Sequence, residues 1–322
     1  MTHPPVPLGT FPTPLEPAPR LAAALGLGPE DLWVKRDDLT GLGGGGNKIR
    51  KLEWTVGAAL AEGADTLVTT GAAQSNHARL TAAAGARLGL DVVLVLRGAA
   101  GASRSGNLAL NGLFGARLAW AGDVDQAGLD AAAAEVCARL RAAGARPALI
   151  PFGGSGTLGA RGYVRCGEEL RARVPDLRTA VVALGSGGTM AGLVAALGTG
   201  SVLGVDVGAL ADPAAAVAAF AAPLTPEAVT AQRLRVRRDQ VGAGYAALTE
   251  PVTEALRLAA RTEGIVLDPT YTGRALAGLR AAVRDGSVRP GEKTVFVHTG
   301  GLPGLFGHAD AVAAAEAGAG VY

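Results

Sequence analysis

A lysine set directly behind a run of glycines is the first chemical signal in the chain: Gly43-Gly44-Gly45-Gly46-Asn47-Lys48. Glycines let backbone approach a bound group closely, at a cost in ordering entropy. A lysine amine partly desolvated at a loop-to-helix junction is suited to Schiff-base chemistry. Taken alone, the segment also reads as a flexible surface loop with Lys48 solvated. A second cluster, Gly71-Ala72-Ala73-Gln74-Ser75-Asn76-His77, puts a dense polar quartet at a helix start, where free backbone N–H groups suit an anion. Ordinary capping by Ser75 or Asn76 is the alternative, although capping does not require Gln74, Ser75, Asn76 and His77 together.

The third cluster, Leu184-Gly185-Ser186-Gly187-Gly188-Thr189, lies between a strand and a helix. A glycine-rich turn feeding a helix N-terminus is a phosphate cradle built from N–H groups, hydroxyls and the helix dipole. It is not a Walker loop, which ends in Gly-Lys-Ser/Thr. Nor is it a full dinucleotide fingerprint, because Met190 stands where a third glycine belongs, although Asp206 falls near the distance for a ribose contact. Two further segments, Asp268-Pro269-Thr270-Tyr271-Thr272-Gly273 and His298-Thr299-Gly300-Gly301-Leu302-Pro303, read alone as a capped turn and a strand end. His298 reads equally as a packed strand residue or a ligand.

The elements that must position these clusters alternate. Short β-branched runs predict strands over Leu32–Arg36, Thr66–Thr70, Val92–Arg97, Arg117–Trp120, Ala148–Phe152, Ala180–Leu184, Val202–Asp206 and Thr294–His298. Three- and four-residue spacing of Ile49, Leu52, Val56 and Leu60 predicts a helix over Asn47–Glu62. Further helices are predicted over Asn76–Leu88, Asp125–Ala143, Thr189–Leu197, Pro251–Glu263 and Gly273–Val283. Strands alternating with helices imply an α/β fold with a parallel sheet, and ligands of such sheets bind at strand C-termini.

Composition narrows the function classes. The 322 residues carry 30 basic and 28 acidic side chains, interspersed, with a formal net charge of +2. No basic stripe of the kind that binds nucleic acid is present. Cys137 and Cys166 lie far apart without metal-ligand spacing, so neither a disulfide framework nor a metal site is expected. The Pro-rich stretch from Met1 to Pro19 lacks the pattern of a secretory signal, and no apolar run reaches the roughly 20 residues of a membrane span. A soluble cytoplasmic protein acting on a small molecule is the expectation.

Together the five segments resemble the D-cysteine desulfhydrase and 1-aminocyclopropane-1-carboxylate (ACC) deaminase family of fold-type II pyridoxal 5′-phosphate (PLP) enzymes. The likeness runs from about Leu8 to Gly307 and is strongest in Gly45–Lys48 with Arg50-Lys51-Leu52-Glu53, in Gln74–His77 and in Gly185–Thr189. Relatives often carry other side chains at Met190 and Leu80. The resemblance implies a fold like the tryptophan synthase β chain: two domains, each a mostly parallel sheet flanked by helices. A smaller domain, 52–159, would be inserted into a larger one, 1–51 and 160–322. Lys48 would hold PLP as a Schiff base, Asn76 would bond the pyridoxal O3′, and Gly185, Ser186, Gly187, Gly188 and Thr189 would hold the phosphate. Ser75 would grip the substrate carboxylate, with Asn76, His77 and Thr272 also on the substrate side. Tyr245 and Tyr271 look like the family's two active-site tyrosines, and relatives are usually homodimers.

The family divides at two positions. ACC deaminases carry Glu where this chain has Thr272 and Leu where it has Thr299, whereas desulfhydrases carry hydroxyl residues at both. A hydroxyl near the pyridine nitrogen, assigned to Thr299, leaves that nitrogen closer to neutral than a carboxylate would. Thr272 and Thr299 therefore imply a lyase of amino-acid catabolism that eliminates a good β-leaving group, converting D-cysteine to pyruvate, ammonia and sulfide. Lys48 would be the base at the α-carbon. ACC deamination, elimination from D-serine or a chlorinated alanine, and sulfite release from L-cysteate are the rival activities. A PLP-binding protein without turnover is the rival outside enzymes, but it would not need Ser75, Tyr245 and Tyr271 beside Lys48.

Overall fold

A computed structural model describes residues 3–101 and 105–318. Ten strands are formed among these residues: β1 (Leu15–Pro17), β2 (Leu32–Arg36), β3 (Thr66–Ala72), β4 (Asp91–Arg97), β5 (Arg117–Trp120), β6 (Pro147–Ile150), β7 (Leu177–Leu184), β8 (Val202–Asp206), β9 (Arg235–Arg237) and β10 (Lys293–His298). They build two sheets, of order β1-β2-β10-β7-β8-β9 and β5-β4-β3-β6. All pairings are parallel except that of β1 with β2. The smaller sheet is drawn wholly from the chain between Thr66 and Ile150, and the two sheets make two domains.

Helices cover both faces of each sheet, which is why the strands read as nearly unbroken apolar runs. Helices α1 (Pro19–Leu25), α2 (Lys48–Ala61), α3 (Asn76–Leu88), α4 (Asn107–Leu113), α5 (Gln126–Ala142) and α6 (Thr157–Arg173) come first in the chain. They are followed by α7 (Gly188–Leu197), α8 (Pro213–Ala221), α9 (Glu250–Glu263), α10 (Thr272–Arg284), α11 (Leu302–Phe306) and α12 (Ala309–Glu316). In the larger sheet, α1, α9 and α10 pack on one side of β7 through Val181 and Ala183, and α6, α7 and α8 on the other through Ala180 and Val182. Along β4, Leu94 and Leu96 face α2 and α3, whereas Val93 and Val95 face α5. This period-two division sets the register of the smaller core.

Two short edge strands and several helices depart from the sequence-based expectations. β1 and β9 are three residues long, and β9 is Arg-Val-Arg, so neither carries an apolar run. The 17-residue helix α6 holds three glycines, which lower helix propensity. Their purpose is close approach: a Cβ on Gly162 would lie 2.0 Å from the Arg50 carbonyl oxygen of α2. Across α7, a Cβ on Gly192 would lie 2.2 Å from the Ala160 carbonyl oxygen of α6. Packing decides this segment, and propensity misleads.

A buried polar cluster anchors the start of α2. Arg50 Nε donates to Asp37 Oδ2 at 2.8 Å, Tyr163 Oη donates to the same oxygen at 2.5 Å, and Arg50 Nη1 reaches Glu169 at 2.8 Å. Burial opposes the Asp37 charge, but Arg50 and these hydrogen bonds hold its carboxyl below the ordinary value. Cys137 and Cys166 are both free and buried.

Candidate active site

The C-terminal ends of β7 and β10 in the larger sheet face the C-terminal end of β3 in the smaller, and a cavity opens between them. Its floor and walls are Asn47, Lys48, Lys51, Asn76, Gly185, Ser186, Gly187, Thr189, Tyr271 and Thr299, among others. A second cavity continues from it past Lys48, Ser75, His77, Arg97, Gln126, Tyr245 and Tyr271. The structure thus brings Lys48, Ser75, Asn76, His77, Tyr245, Tyr271, Thr299 and the loop from Gly185 to Thr189 to one place.

Lys48 is the first residue of α2. The chain enters through Gly43, Gly44, Gly45 and Gly46, all at positive φ; a Cβ on Gly45 would lie 1.8 Å from the Asp38 carbonyl oxygen. The entry is therefore a fixed turn, and the flexible-loop alternative fails. Lys48 Nζ opens onto the cavity and contacts the Gly153 carbonyl at 3.3 Å. Removal from water lowers its pKa to about 8, so a useful fraction of the amine is neutral near physiological pH.

One turn along, Lys51 is fully buried. Its Nζ donates to Ser155 Oγ at 3.0 Å and to the Gly153 carbonyl at 3.4 Å. Burial, then the charge of Lys48, pushes its amine well below the ordinary lysine value. Ser155 Oγ also pairs with Ser186 Oγ at 2.7 Å and accepts from the Gly188 N–H at 3.2 Å. Helix α7 starts at that glycine, and its N-cap Gly187 offers no side chain, so the first-turn N–H groups after Gly188 and the helix dipole are available to an anion. Asn47 Nδ2 donates to Thr189 Oγ1 at 3.0 Å, tying the lysine turn to this loop.

Ser75 both caps and faces the cavity: its Oγ accepts from the Ala78 N–H at 3.1 Å, which leaves the hydroxyl proton free to donate. His77 is buried with Nε2 2.9 Å from Thr69 Oγ1. Burial, then the charges of Lys48 and Lys51, drives its pKa well down, so His77 is neutral. Tyr245 and Tyr271 meet edge to face with hydroxyls 2.5 Å apart. Burial, then Tyr245, raises the Tyr271 hydroxyl well above the ordinary value. His298 packs at the end of β10 and bonds the Val266 carbonyl at 3.1 Å.

Thr272 stands apart from these residues. It is fully buried at the start of α10, where its Oγ1 donates to Asp268 Oδ1 at 2.7 Å and accepts from the Asp268 N–H at 2.8 Å. The same carboxylate accepts from the N–H groups of Thr270, Tyr271 and Thr272. Thr272 is not among the residues that line either cavity; its hydroxyl shapes the turn that carries Tyr271. The sequence reading also passed over Asn47, Lys51, Ser155 and Arg97 as site residues. Lys51 follows Lys48 by three, a spacing that puts both on one helix side, whereas Ser155 and Arg97 carry no local signal.

A lysine, a helix start without a cap of its own among hydroxyls, and a second buried amine together suit a phosphorylated aldehyde. The sequence profile described as pyridoxal-phosphate dependent enzyme matches residues 6–300. The chain belongs to this family. It is 41% identical over 308 residues to a Pyrococcus abyssi protein provisionally named a 1-aminocyclopropane-1-carboxylate deaminase, covering 91% of this chain and 90% of that protein. It is 40% identical over 312 residues to the D-cysteine desulfhydrase of Salmonella schwarzengrund, covering 92% and 94%. A crystal structure of an ACC deaminase homologue superposes with a TM-score of 0.84 at 37% identity, covering 97% of this chain and 96% of that one. The cofactor is pyridoxal 5′-phosphate and the fold is fold-type II, as the five segments implied. No helix among the described residues is long and apolar enough to cross a membrane.

Proposed function

We propose that this PLP enzyme catalyses β-elimination on a small amino acid, D-cysteine above all, yielding pyruvate, ammonia and sulfide. The observation that carries the reading is the chemistry of the cofactor cavity: among the described residues its polar lining is amines, amides and hydroxyls, the rest is glycine, Ala183 and Met190, and no carboxylate lines it. Thr299 is the hydroxyl assigned to the ring nitrogen, and the nearby acid Asp268 is occupied by the turn before α10. When bound, PLP supplies an electron sink for the substrate's α-carbon. Without a carboxylate partner that sink is shallow, enough to expel a thiolate but poorly matched to opening a cyclopropane.

The residues divide the remaining work. Lys48, the Schiff-base lysine of this reading, takes the α-proton, its lowered pKa keeping the amine neutral enough to act as a base. The Ser75 hydroxyl and the first N–H groups of α3 hold the substrate carboxylate, with Asn76 and His77 beside it. The linked hydroxyls of Tyr245 and Tyr271 close the opposite wall and can pass a proton between them. Loss of the α-proton and of thiolate leaves a three-carbon enamine, which takes up water to give pyruvate and ammonia. Domain limits near 52–159 for the smaller unit, and a homodimer, belong to the same reading. The apolar surface shared by Val266, Leu305 and Phe306 supports an interface.

One observation favours a second substrate. Arg97 lines the outer cavity with no hydrogen bond or ion pair among the described residues, and a guanidinium there would suit the sulfonate of L-cysteate. Parallel assays with D-cysteine, L-cysteine, L-cysteate, D-serine and ACC separate these readings. Pyruvate with sulfide from D-cysteine is the expected dominant result. Dominant sulfite from L-cysteate would shift the assignment to the second substrate, and dominant 2-oxobutyrate from ACC would sink the argument from the missing carboxylate.

A further inference from the structure

Behind Asn76 lies a buried chain of side chains with only one possible polarity. Arg79, on α3, and Asn107, at the start of α4, are both fully buried. Arg79 Nε donates to Asn107 Oδ1 at 3.0 Å. A guanidinium has donors only, so the Asn107 atom facing it must be the amide oxygen. The Asn107 amide nitrogen then points the other way, where it donates to the Gln74 carbonyl and to Asn76 Oδ1, each at 2.9 Å. The Gln74 carbonyl can only accept, which locks the same orientation a second time. Arg79 Nη2 adds a weaker contact to Asn76 Oδ1 at 3.4 Å. The Asn76 oxygen is thus saturated from behind, and its Nδ2 is the group left to the cavity.

We propose that Arg79 and Asn107 are positioning residues that fix the Asn76 amide with its N–H toward the phenolic oxygen of the bound cofactor. The inference rests on the reading that Asn76 meets that oxygen. Arg79 serves a second purpose in the same place. Its Nη1 bonds the carbonyls of Gly43 and Gly45, the latter at 3.1 Å, so one side chain holds both the lysine turn and the amide. Burial without a carboxylate partner lowers the Arg79 pKa to about 10, which leaves it charged at neutral pH. That uncompensated positive charge favours negative charge on an oxygen facing Asn76.

The test reads the visible band of the holoenzyme as a function of pH, independently of turnover. Donation to the phenolic oxygen withdraws charge that otherwise holds a proton on the neighbouring Lys48 nitrogen. Losing the donation should therefore raise the pH midpoint of the band, by about one unit for one charge-assisted hydrogen bond. Asn107→Asp can still accept from Arg79 but cannot donate to Asn76, and it is expected to raise the midpoint as Asn76→Ala does. Asn107→Ala is the second variant, expected to shift it in the same direction. The double variant Asn76→Ala/Asn107→Asp should move no further than Asn76→Ala alone, because one residue acts through the other. Unmoved midpoints in both Asn107 variants, or additive shifts in the double variant, would overturn the relay. An unmoved midpoint in Asn76→Ala itself would instead overturn the placement of Asn76 on which the relay stands.

Discussion

Lys48 and Lys51, one helical turn apart on α2, share a single acceptor, the Gly153 carbonyl oxygen, at 3.3 and 3.4 Å. Two amines converging on one carbonyl repel unless a further anion joins them, and only Lys51 has a second oxygen partner, Ser155 Oγ at 3.0 Å. On the proposed reading they divide the labour: Lys48 is the reacting amine, and Lys51 is a buried hydrogen-bond donor on the phosphate side, where Ser155 meets Ser186 and the start of α7. Lys48→Ala should lose the visible band and pyruvate release together. Lys51→Gln should keep the band at saturating cofactor but bind PLP roughly tenfold to a hundredfold more weakly, the scale for disrupting one buried hydrogen bond. Equilibrium titration of the two apoproteins with PLP checks both, and equal loss of the band in each would refute the division.

The lowered pKa of Lys48 makes a pH prediction with a definite sign. With a pKa of about 8, roughly a tenth of the amine is neutral at pH 7, against about one part in three thousand for an ordinary lysine. Only the neutral amine attacks an aldehyde. The rate at which the apoprotein gains its visible band on adding PLP should rise about tenfold per pH unit below 8 and flatten above it. A rate still climbing steeply at pH 10 would mean that the surroundings of Lys48 do not desolvate it.

Much of this site is readable in the chain because its parts are local. The turn before Lys48, the polar start of α3 and the glycine turn into α7 each have their residues adjacent, and each occupies the end of a strand or the start of a helix where α/β ligands bind. What could not be read depends on contacts between distant segments. Ser155 follows a strand of the smaller sheet yet completes the phosphate side of the larger one, and the glycines of α6 make sense only once α2 and α7 lie against it. Thr272 shows the converse: the resemblance implied a substrate contact, but the hydroxyl is engaged by Asp268, whose turn presents Tyr271.

Gly153 sits between the two lysines and the loop that carries Ser186. Its φ is +64°, and a Cβ there would lie 2.1 Å from Ser186 Oγ and 3.5 Å from Lys48 Nζ. Gly63 has a similar φ of +78° but open space around it. Gly153→Ala and Gly63→Ala should both lower the thermal midpoint, through backbone strain of about 1–3 kcal/mol. Only Gly153→Ala should also weaken PLP retention in gel filtration. Equal retention by the two variants would show that the Gly153 turn yields without disturbing Ser186 or Lys48.

The tyrosine pair offers the clearest case of two residues acting as one. With hydroxyls 2.5 Å apart, each oxygen is the other's partner, and removing either one leaves its mate without that hydrogen bond. Burial and then Tyr245 hold the Tyr271 proton well above the ordinary tyrosine range, and burial raises Tyr245 too, so both hydroxyls keep their protons and either can donate to the other. Tyr271→Phe and Tyr245→Phe should each lower kcat for pyruvate release by roughly a hundredfold, the usual scale for loss of a positioned proton donor. The double Phe variant should be little worse than the poorer single one, because both substitutions break the same bond. Phe keeps each ring in the cavity wall, and the only hydrogen bond that either hydroxyl makes among the described residues is with the other, so the visible band and PLP affinity should stay near wild-type values. Steady-state kinetics on the three variants distinguish this from independent roles, for which the losses in kcat would multiply.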